Sequence, residues 1–277
     1  MADRAVAIYR NPRFSPQRHL SNDRAIMDAT VAALTDLGWT IEASDERQIE
    51  DGRVPPAALY VNMCQGPVAS ERLRAAINGA RAVNPPASVL NCHRHRLVEL
   101  MRGSDLPFPM TELHDTATLA REGATALATN GTRLWLKRGD VHAEKPEDVV
   151  ATDATGLAAA AEQFRARGIG RVAVQTHIAG PVVKFYALAD GSFFHWYFAD
   201  PADCADVDAE ALKALAVRAA AVAGLEIFGG DLVVGADGRP VLIDLNDWPS
   251  FAPVRERAAR AIARYIHTQA RNGHHRD

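Results

Sequence analysis

The chain has 277 residues, of which 48% are hydrophobic and 23% charged, and a formal net charge of -3. This composition is typical of a globular protein with a sizeable core, and it lacks the basic surplus that general nucleic-acid binding requires. No apolar stretch approaches membrane-spanning length, and the three cysteines are too scattered for a disulfide framework or a zinc knuckle. We therefore expect a cytoplasmic protein that binds neither nucleic acid nor membranes.

The first hundred residues alternate predicted strands (5–9, 39–43, 57–62, 88–91) with predicted helices (23–37, 70–80). This alternation predicts a small parallel α/β lobe, in which ligands bind beyond the carboxyl ends of the strands. Those ends are expected at 10–13, 63–66 and 91–94. Arg10 and Arg13, after the first strand, are candidates for holding an anionic group of a substrate. A solvated basic loop is the alternative for either residue.

A helix predicted at 93–104 runs into two prolines that stop it and mark a lobe boundary. Helices at 117–128 and 157–167 and strands at 133–137, 148–152 and 171–178 follow. Arg94 begins the linker helix, where backbone donors and the helix dipole favour anions. Lys137 closes a buried strand before a loop, a placement suited to phosphate. An exposed position is the alternative for both cations.

The strand that ends at Gln175-Thr-His-Ile178 leads into Ala179-Gly-Pro181, a turn that could serve as an interlobe hinge. Backbone groups of such a hinge can receive a flat base. The final third predicts a hairpin (182–188 and 192–198), a helix (209–223), a second hairpin and a closing helix (253–270), which indicates α+β antiparallel architecture. Lys184 interrupts an apolar strand, so it either reaches solvent at an edge or points at an anion.

The second hairpin carries the most informative residues of the chain. Two apolar runs, 231–234 and 241–246, flank an Asp-Gly turn, the strongest short hairpin signal. A turn centred on 237–238 places Asp231 across from Asp244, with Asn246 on the same face. Opposed carboxylates in an apolar setting favour a cation, and oxygen donors without His or Cys suit Mg2+ before Zn2+. A solvated hairpin rim is the alternative.

Taken in this order, the pieces resemble the ATP-grasp superfamily over about residues 88–266. Arg94 and the segment 106–109 are similar to the family's linker helix, with Arg in place of the usual Lys. The strand ending at Lys137 is similar to its apolar-Lys strand. Its Gln-Glu-x-Ile adenine hinge resembles Gln175 to Ile178, with Thr176 in place of Glu. Its Asp…Glu-x-Asn metal motif is similar to Asp231…Asp244-Leu-Asn246.

The resemblance implies an α/β and α+β ATP-grasp fold with three lobes: an N-terminal lobe (1–92), a linker helix with a central lobe (93–178) and a C-terminal lobe with the metal site (179–277). It implies ATP and one or two Mg2+ ions as cofactors. Lys137 and Arg94 would neutralise the phosphates, and Arg138 and His142 would lie on a lid. The hinge contacts with adenine would come from the backbone of His177 and Ile178. The implied catalytic residues are Lys137, Arg94, Lys184 and His142, and Arg138 joins Arg10 and Arg13 as a substrate residue.

The family base rate favours an enzyme that activates a small-molecule carboxylate as an acylphosphate and joins it to an amine or thiol. The alternative is a kinase similar to the inositol polyphosphate kinases of this fold, because Asp244 replaces the usual Glu and Lys184 follows the hinge. The strand 193–198 also lacks the basic residues with which many ligases of this fold hold the acylphosphate. A polyphosphorylated acceptor requires dense basic residues, and the first lobe offers Arg10, Arg13, Arg18 and His19. A non-catalytic nucleotide-binding module is a third alternative, and a homodimer is left open.

Overall fold

The computed structural model describes residues 3–15, 20–129, 131–141 and 145–273. Three four-stranded sheets follow one another along this part of the chain, the first parallel and the other two antiparallel. The sheets span residues 4–83, 111–176 and 182–247, so each falls within one predicted lobe. Short 3-10 helices occur at Pro12–Phe14, Pro146–Asp148 and Ala252–Val254. The lobe boundaries themselves stay predictions.

The first sheet has the order β2-β1-β3-β4, with strands Thr40–Asp45, Arg4–Tyr9, Leu59–Asn62 and Arg81–Val83. Helices α1 (Leu20–Asp36), α2 (Glu46–Glu50) and α3 (Pro67–Ala76) connect the strands. Alternate β1 residues enter different cores: Val6 and Ile8 pack on one face, and Ala5 and Ala7 on the other. Both faces are covered, as parallel sheets require.

The predicted strand at 88–91 is wrong, because these residues form helix α4 (Pro86–Asn91). A short apolar run does not distinguish a strand from a buried helical turn. Here Pro86 begins the helix with its fixed φ, and the Ser88 hydroxyl donates to the carbonyl of Pro85 at 2.8 Å. The fourth strand lies earlier, and its carboxyl end is followed by Asn84 rather than by residues 91–94.

The central lobe begins after the linker helix α5 (Arg94–Arg102). Its sheet has the order β5-β8-β6-β7, with strands Thr111–Asp115, Arg171–Thr176, Leu134–Arg138 and Val149–Thr152. Helices α6 (Thr116–Glu122) and α7 (Leu157–Ala166) pack on one face. Strand β5 was not predicted; it is the extended segment after the two prolines and pairs with β8 as an edge strand of the sheet.

The third sheet has the order β10-β9-β11-β12, with strands Phe194–Phe198, Val182–Leu188, Ile227–Val234 and Pro240–Asp247. Helix α8 (Ala209–Ala223) packs on its apolar face, which leaves the opposite face for polar side chains. Helix α9 (Arg255–Gly273) returns to the first lobe and packs against α1. No helix in the described ranges is long and apolar enough to cross a membrane.

The hydrophobic cores divide the molecule differently from the sheets. One core combines first-lobe residues with Trp248, Phe251 and helix α9, so the first and third lobes share an interior. A second core unites the third sheet and α8 with Leu97 and Met101 of the linker helix. The central lobe has a core of its own, built from residues between 119 and 174.

Candidate active site

A row of four side chains crosses the polar face of the third sheet. Strand pairing aligns Tyr197 with Lys184, Lys184 with Asp231, and Asp231 with Asp244. The predicted pairing of Asp231 with Asp244 is confirmed. Asn246 lies two residues along β12, opposite Gly229 and on the same face as Asp244. The three predicted metal ligands therefore share one surface of one hairpin.

The pairing of the two aspartates depends on a β-bulge. Leu232 pairs with Leu242 and Val234 with Pro240, so a regular hairpin would place Ile243, not Asp244, opposite Asp231. The register shifts by one residue between Asp231 and Leu232, which returns Asp244 to that position. The carbonyl of the extra residue, Ile243, accepts a hydrogen bond from Lys137 Nζ at 3.3 Å. Bulges often redirect side chains beside functional sites, and this one also orients the lysine of another lobe.

Cations pair with both carboxylates. Lys184 Nζ lies 2.8 Å from Asp231 Oδ1, and Arg94 Nη1 lies 3.2 Å from Asp244 Oδ1. Burial raises the pKa of Asp231, and the neighbouring Asp244 raises it further, while Lys184 opposes both effects. Burial would lower the pKa of Lys184, but the charge and hydrogen bond of Asp231 outweigh it, so this pKa is raised. Two cations thus flank the adjacent carboxylates, Lys184 beside Asp231 and Arg94 beside Asp244.

Lys137 is the most perturbed cation of the site. Only 7% of the residue is exposed. Burial, followed by repulsion from Arg94, lowers its pKa from 10.5 to about 8, against the attraction of Asp244 and Asp231. A buried cation next to a second cation favours the arrival of an anion, since an anion would relieve both the desolvation and the repulsion.

The start of the linker helix joins three lobes through consecutive residues. The His93 ring contacts the Gln65 carbonyl of the first lobe at 3.0 Å. Arg94 reaches Asp244 in the third lobe and donates through Nε to the Arg138 carbonyl of the central lobe at 3.0 Å. The backbone N–H of His95 donates to the Gly139 carbonyl at 2.9 Å. Arg94 is the first residue of α5, so its predicted place on the first turn is confirmed. It is 5% exposed, so the alternative of a position in solvent is wrong.

The predicted hinge lies between the central and third sheets. Gln175 is buried and donates to the Thr111 hydroxyl at 3.1 Å, and Thr176 bonds to the Met110 carbonyl through its backbone N–H at 2.9 Å. The His177 N–H donates to the Arg133 carbonyl at 3.0 Å. Ile178 follows, half-buried, and within the described residues its N–H makes no backbone hydrogen bond. Ile178 is therefore the hinge position whose N–H could receive a base.

Glycine is required where the hinge enters the third lobe. Gly180 has φ +147°, and a Cβ there would lie 2.0 Å from the Val234 carbonyl oxygen. The next residue, Pro181, accepts a hydrogen bond from the Val234 N–H at 3.0 Å. A side chain at Gly180 would separate the hinge from the end of β11.

The other predicted substrate residues contact protein groups. Arg138 donates to Asp140 at 2.6 Å and lies 3.8 Å from Asp148, within the central lobe. Arg13 pairs with Glu50, and its side chain is 56% exposed. Arg10 is buried and lies 3.1 Å from Asp23 Oδ2. Their roles toward a substrate stay predictions. His142, Arg18 and His19 lie outside the described residues.

The carboxyl ends of β1 and β3 meet, as the parallel arrangement predicts, but a protein carboxylate occupies the donors there. Glu46 accepts backbone hydrogen bonds from Asn11 at 2.7 Å and from Gln65 at 2.8 Å. Burial raises the pKa of Glu46, and these hydrogen bonds oppose that rise. The N–H groups at this edge therefore hold the first lobe together.

A second row, which the sequence analysis did not identify as functional, lies beside the charged one. His195 pairs with Tyr186, Tyr186 with Gly229, and Gly229 with Asn246. The Tyr186 and Tyr197 hydroxyls are 3.1 Å apart, and the Tyr186 ring lies 5.0 Å from that of Phe251. The alternation of strand β10, with His195 and Tyr197 on one face, was the available signal. Beside the charged row, the third sheet thus presents aromatic side chains.

The donor set fits Mg2+ in its chemistry. Asp231 and Asp244 supply carboxylate oxygens and Asn246 an amide oxygen, and hard cations prefer oxygen ligands. Among the described residues there is no group of three or more His, Cys, Asp or Glu that could hold a metal alone. Two carboxylates and an amide leave several positions for water and phosphate oxygens, which is how Mg2+ is commonly bound in nucleotide sites.

The three sheets, the linker helix and the hinge together are the ATP-grasp fold, so the predicted fold is confirmed. No family model and no curated protein matches the sequence. Among solved structures, D-alanine–D-alanine ligase from Bacillus anthracis covers 99% of this chain and 100% of its own, with a TM-score of 0.67 and 12% identity.

Two further structures are similar over almost their whole lengths. A RimK domain protein of the ATP-grasp type from Sphaerobacter thermophilus has a TM-score of 0.64 and 20% identity, covering 95% of this chain and 99% of its own. The ATP-grasp ligase PsnB, complexed with a minimal precursor, Mg and ADP, has a TM-score of 0.62 and 17% identity, covering 96% of this chain and 98% of its own. At these identities the similarity defines the fold alone.

Proposed function

We propose that the protein is an Mg-ATP-dependent ligase that phosphorylates a small-molecule carboxylate and joins the resulting acylphosphate to an amine or thiol. One observation carries the proposal: a buried lysine with a lowered pKa lies over a hairpin that presents two carboxylates and an amide on one face. Cations for phosphate and oxygen ligands for Mg2+ thus face each other across two lobes, an arrangement suited to a bound nucleotide.

In this proposal each residue has an electrostatic or positioning task. Asp231, Asp244 and Asn246 would hold one or two Mg2+ ions, which supply charge neutralisation at the phosphates when bound. Lys137 and Arg94 would carry the remaining phosphate charge, and the residues from Gln175 to Ile178 would receive the adenine. Lys184, released from Asp231, could then approach the transferred phosphoryl group or the acceptor.

The ion pairs of the row also suggest how these buried charges are compensated before Mg2+ and nucleotide bind. Each metal carboxylate is now neutralised by a cation, Asp231 by Lys184 and Asp244 by Arg94. The arrival of Mg2+ and phosphate would exchange partners, since carboxylates would turn to the metal and the cations to phosphate oxygens. Such an exchange keeps the buried charges compensated at each stage.

The aromatic row argues against a polyphosphorylated acceptor, the substrate class of the kinase alternative, although it lacks the basic residues with which many ligases of this fold hold the acylphosphate. Where an acceptor would meet the sheet beside the metal residues, the side chains are Tyr186, His195 and Tyr197. Burial lowers the pKa of His195, and Arg257 contributes in the same direction, so this histidine is neutral at pH 7. A polyphosphorylated acceptor requires clustered Lys and Arg, whereas a carboxylate needs one or two cations. The structurally similar PsnB is described as an ATP-grasp ligase, complexed with a minimal precursor, Mg and ADP, and this supports the choice of a ligase.

The kinase remains the second candidate because of two residues. Asp244 stands where most ligases of this fold carry Glu, and Lys184 lies within 2.8 Å of the first metal carboxylate. A shorter ligand at position 244 could leave room for a second ion or for a hydroxyl acceptor. For either reaction we propose a small-molecule acceptor and a cytoplasmic location. A homodimer is also compatible with either reaction.

The two candidates differ in product. Purified protein is incubated with Mg-ATP, a carboxylate panel and hydroxylamine, and a parallel reaction contains polyols. A hydroxamate that appears together with ADP supports the ligase, because hydroxylamine traps an acylphosphate. Phosphate on a polyol would replace this proposal with the kinase, and ATP binding without ADP release on either panel would favour a non-catalytic module.

A further inference from the structure

The chain makes an unusual turn directly after the metal hairpin. Trp248 has φ +35° and Phe251 has φ +49°, a left-handed region that residues other than glycine rarely adopt. Both side chains are fully buried in the core shared by the first and third lobes. Strained conformations of this kind persist only where the surroundings over-determine them, and they cluster at functional sites.

Arg10 of the first lobe supplies much of that restraint. Its Nη2 donates to the Trp248 carbonyl at 3.0 Å and to the Asp247 carbonyl at 3.4 Å. Its Nη1 is held by Asp23 Oδ2 at 3.1 Å, and the Ser15 hydroxyl donates to the same oxygen at 2.7 Å. The Arg10 side chain is 7% exposed. A planar guanidinium holds its donors in a fixed fork, so it orients two successive carbonyls and a carboxylate more rigidly than a rotating ammonium does.

The restrained turn adjoins a predicted metal ligand. Asn246 directly precedes Asp247, whose carboxylate lies 3.7 Å from Arg10 Nη2 and accepts a hydrogen bond from Gln65 Nε2 at 3.4 Å. On the other side, the Trp248 N–H donates to the Ile227 carbonyl at 3.1 Å. A shift of the turn would therefore rotate the end of β12 and move the Asn246 amide away from the Asp244 carboxylate.

We propose that Arg10 is a positioning residue for the metal site rather than a ligand of the substrate: it fixes the Asp247–Trp248 turn and so holds Asn246 in place for Mg2+. This inference rests on the proposed function, which supplies the metal. Residues that orient a ligand from behind typically change metal affinity without contacting the metal. The first lobe thereby contributes to a site that lies entirely on the third.

A second bond set between the same lobes provides a matched control. Asn84 donates to the Ile227 carbonyl at 2.7 Å and accepts from the Glu226 and Ile227 N–H groups at 2.8 Å each. Asn84→Ala therefore weakens the contact between the first and third lobes but keeps Arg10 and both partners of the bond between the Trp248 N–H and the Ile227 carbonyl, which Asn84 also contacts. An effect of Arg10 that is merely structural would be shared by Asn84→Ala.

The test measures ADP binding by calorimetry in EDTA and in saturating Mg2+, for wild type, Arg10→Met, Arg10→Lys and Asn84→Ala. We expect Arg10→Met to retain its metal-free ADP affinity and to lose about 10- to 100-fold of the gain that Mg2+ provides. Arg10→Lys should recover part of that gain, and Asn84→Ala should keep it despite a lowered Tm. The Lys variant carries the test if Arg10→Met does not fold.

Equal Mg2+ gains in the Arg10 variants and in wild type would overturn the inference, as would an equal loss in Asn84→Ala. An acceptor KM that rises in Arg10→Lys while the Mg2+ gain is unchanged would restore Arg10 as a substrate ligand. Failure of the proposed function gives a different result, because wild type itself would then bind ADP no more tightly with Mg2+ than without it.

Discussion

The two antiparallel sheets differ in how they are attached to the rest of the protein. The third sheet shares a hydrophobic core with the first lobe through Trp248 and Phe251, and Asn84 and Arg10 add buried hydrogen bonds between them. The central sheet has a separate core, and Lys137, Arg138 and Gly139 provide polar contacts to the third lobe and the linker helix.

The first and third lobes therefore form one unit, which we call the platform, and the central lobe forms a cover over it. An apolar interface such as the shared core of the first and third lobes resists relative motion, whereas polar contacts can be exchanged for contacts with a nucleotide. The predicted metal residues lie on the platform, and Lys137 lies on the cover. We therefore expect the cover to move when a nucleotide binds, with hinge motion near Gly180.

The largest effect should come from removing a predicted metal ligand on the platform. Asp244→Asn removes one of the two carboxylates and leaves Arg94 without its ion pair. Loss of a metal ligand removes several kcal/mol of charge stabilisation, so we expect ADP release to fall by about 1000-fold. The matched control is Asp237→Asn, at the exposed tip of the same hairpin, which should retain full turnover. Intact turnover in Asp244→Asn would refute the metal assignment.

The charge of the cover gives the next effect. Lys137→Met should weaken ATP binding by about 10- to 100-fold, since a charge-assisted contact to phosphate is lost. The same variant should be more stable, by about 1–3 kcal/mol at pH 7, because the buried ammonium is removed. Titration of ATP and urea unfolding measure the two effects. A variant that is both less stable and unimpaired in binding would contradict this role of the cover.

The joint between the first and third lobes can be weakened without touching the site. Asn84→Ala removes three hydrogen bonds and leaves the Glu226 and Ile227 N–H groups without this acceptor. We expect a loss of about 2–4 kcal/mol in the free energy of unfolding, with one cooperative transition for both lobes. Separate unfolding transitions for the two lobes, observed by calorimetry, would show that they do not form one platform.

The smallest expected effect is a pH dependence of nucleotide affinity, caused by the titration of Lys137. Lys137 has a pKa of about 8 in the folded protein, below its ordinary 10.5, so the form that pairs with phosphate is depleted as the pH rises through 8. Nucleotide affinity should fall by up to about tenfold per pH unit above 8. The folded state binds fewer protons than the unfolded state between pH 8 and 10.5, so this group's contribution to stability increases over that window.

Calorimetric titrations between pH 7 and 9.5 would measure this dependence, with Lys137→Met as the matched variant. That variant should bind ATP weakly at every pH and show no inflection near 8. An inflection of the same size in Lys137→Met would assign the titration to another group.

Sequence patterns predicted the parts of the structure that depend on local chemistry. Residues 182–188 and 209–223 match β9 and α8 at both ends, because strand alternation and an Asp208 cap define them. The strand prediction at 88–91 failed because a four-residue segment with two apolar residues is too short to show a period. The pairing of Asp231 with Asp244 was predicted from a two-residue turn, but it depends on the bulge at Ile243, which a hairpin pattern does not specify.

The site was predictable as a set of residue types and less so as a set of contacts. Arg94 and Lys137 were identified by their places at a helix start and a strand end. Their partners were not, since the contacts with Asp244 and the Ile243 carbonyl join residues more than a hundred positions apart. The restraint by Arg10 was missed for the same reason, because a basic residue after a strand does not reveal that it faces the interior.

The three consecutive contacts at the start of the linker helix have a consequence for insertions and deletions. His93, Arg94 and His95 each contact a different sheet or its loop, so the rotation of α5 about its axis is fixed relative to all three lobes at once. One residue added or removed beside them would turn the helix by about 100 degrees and misalign these contacts together. The first residues of the linker helix thus fix its rotation relative to the three lobes, and we expect an insertion or deletion of one residue there to disrupt the assembled fold.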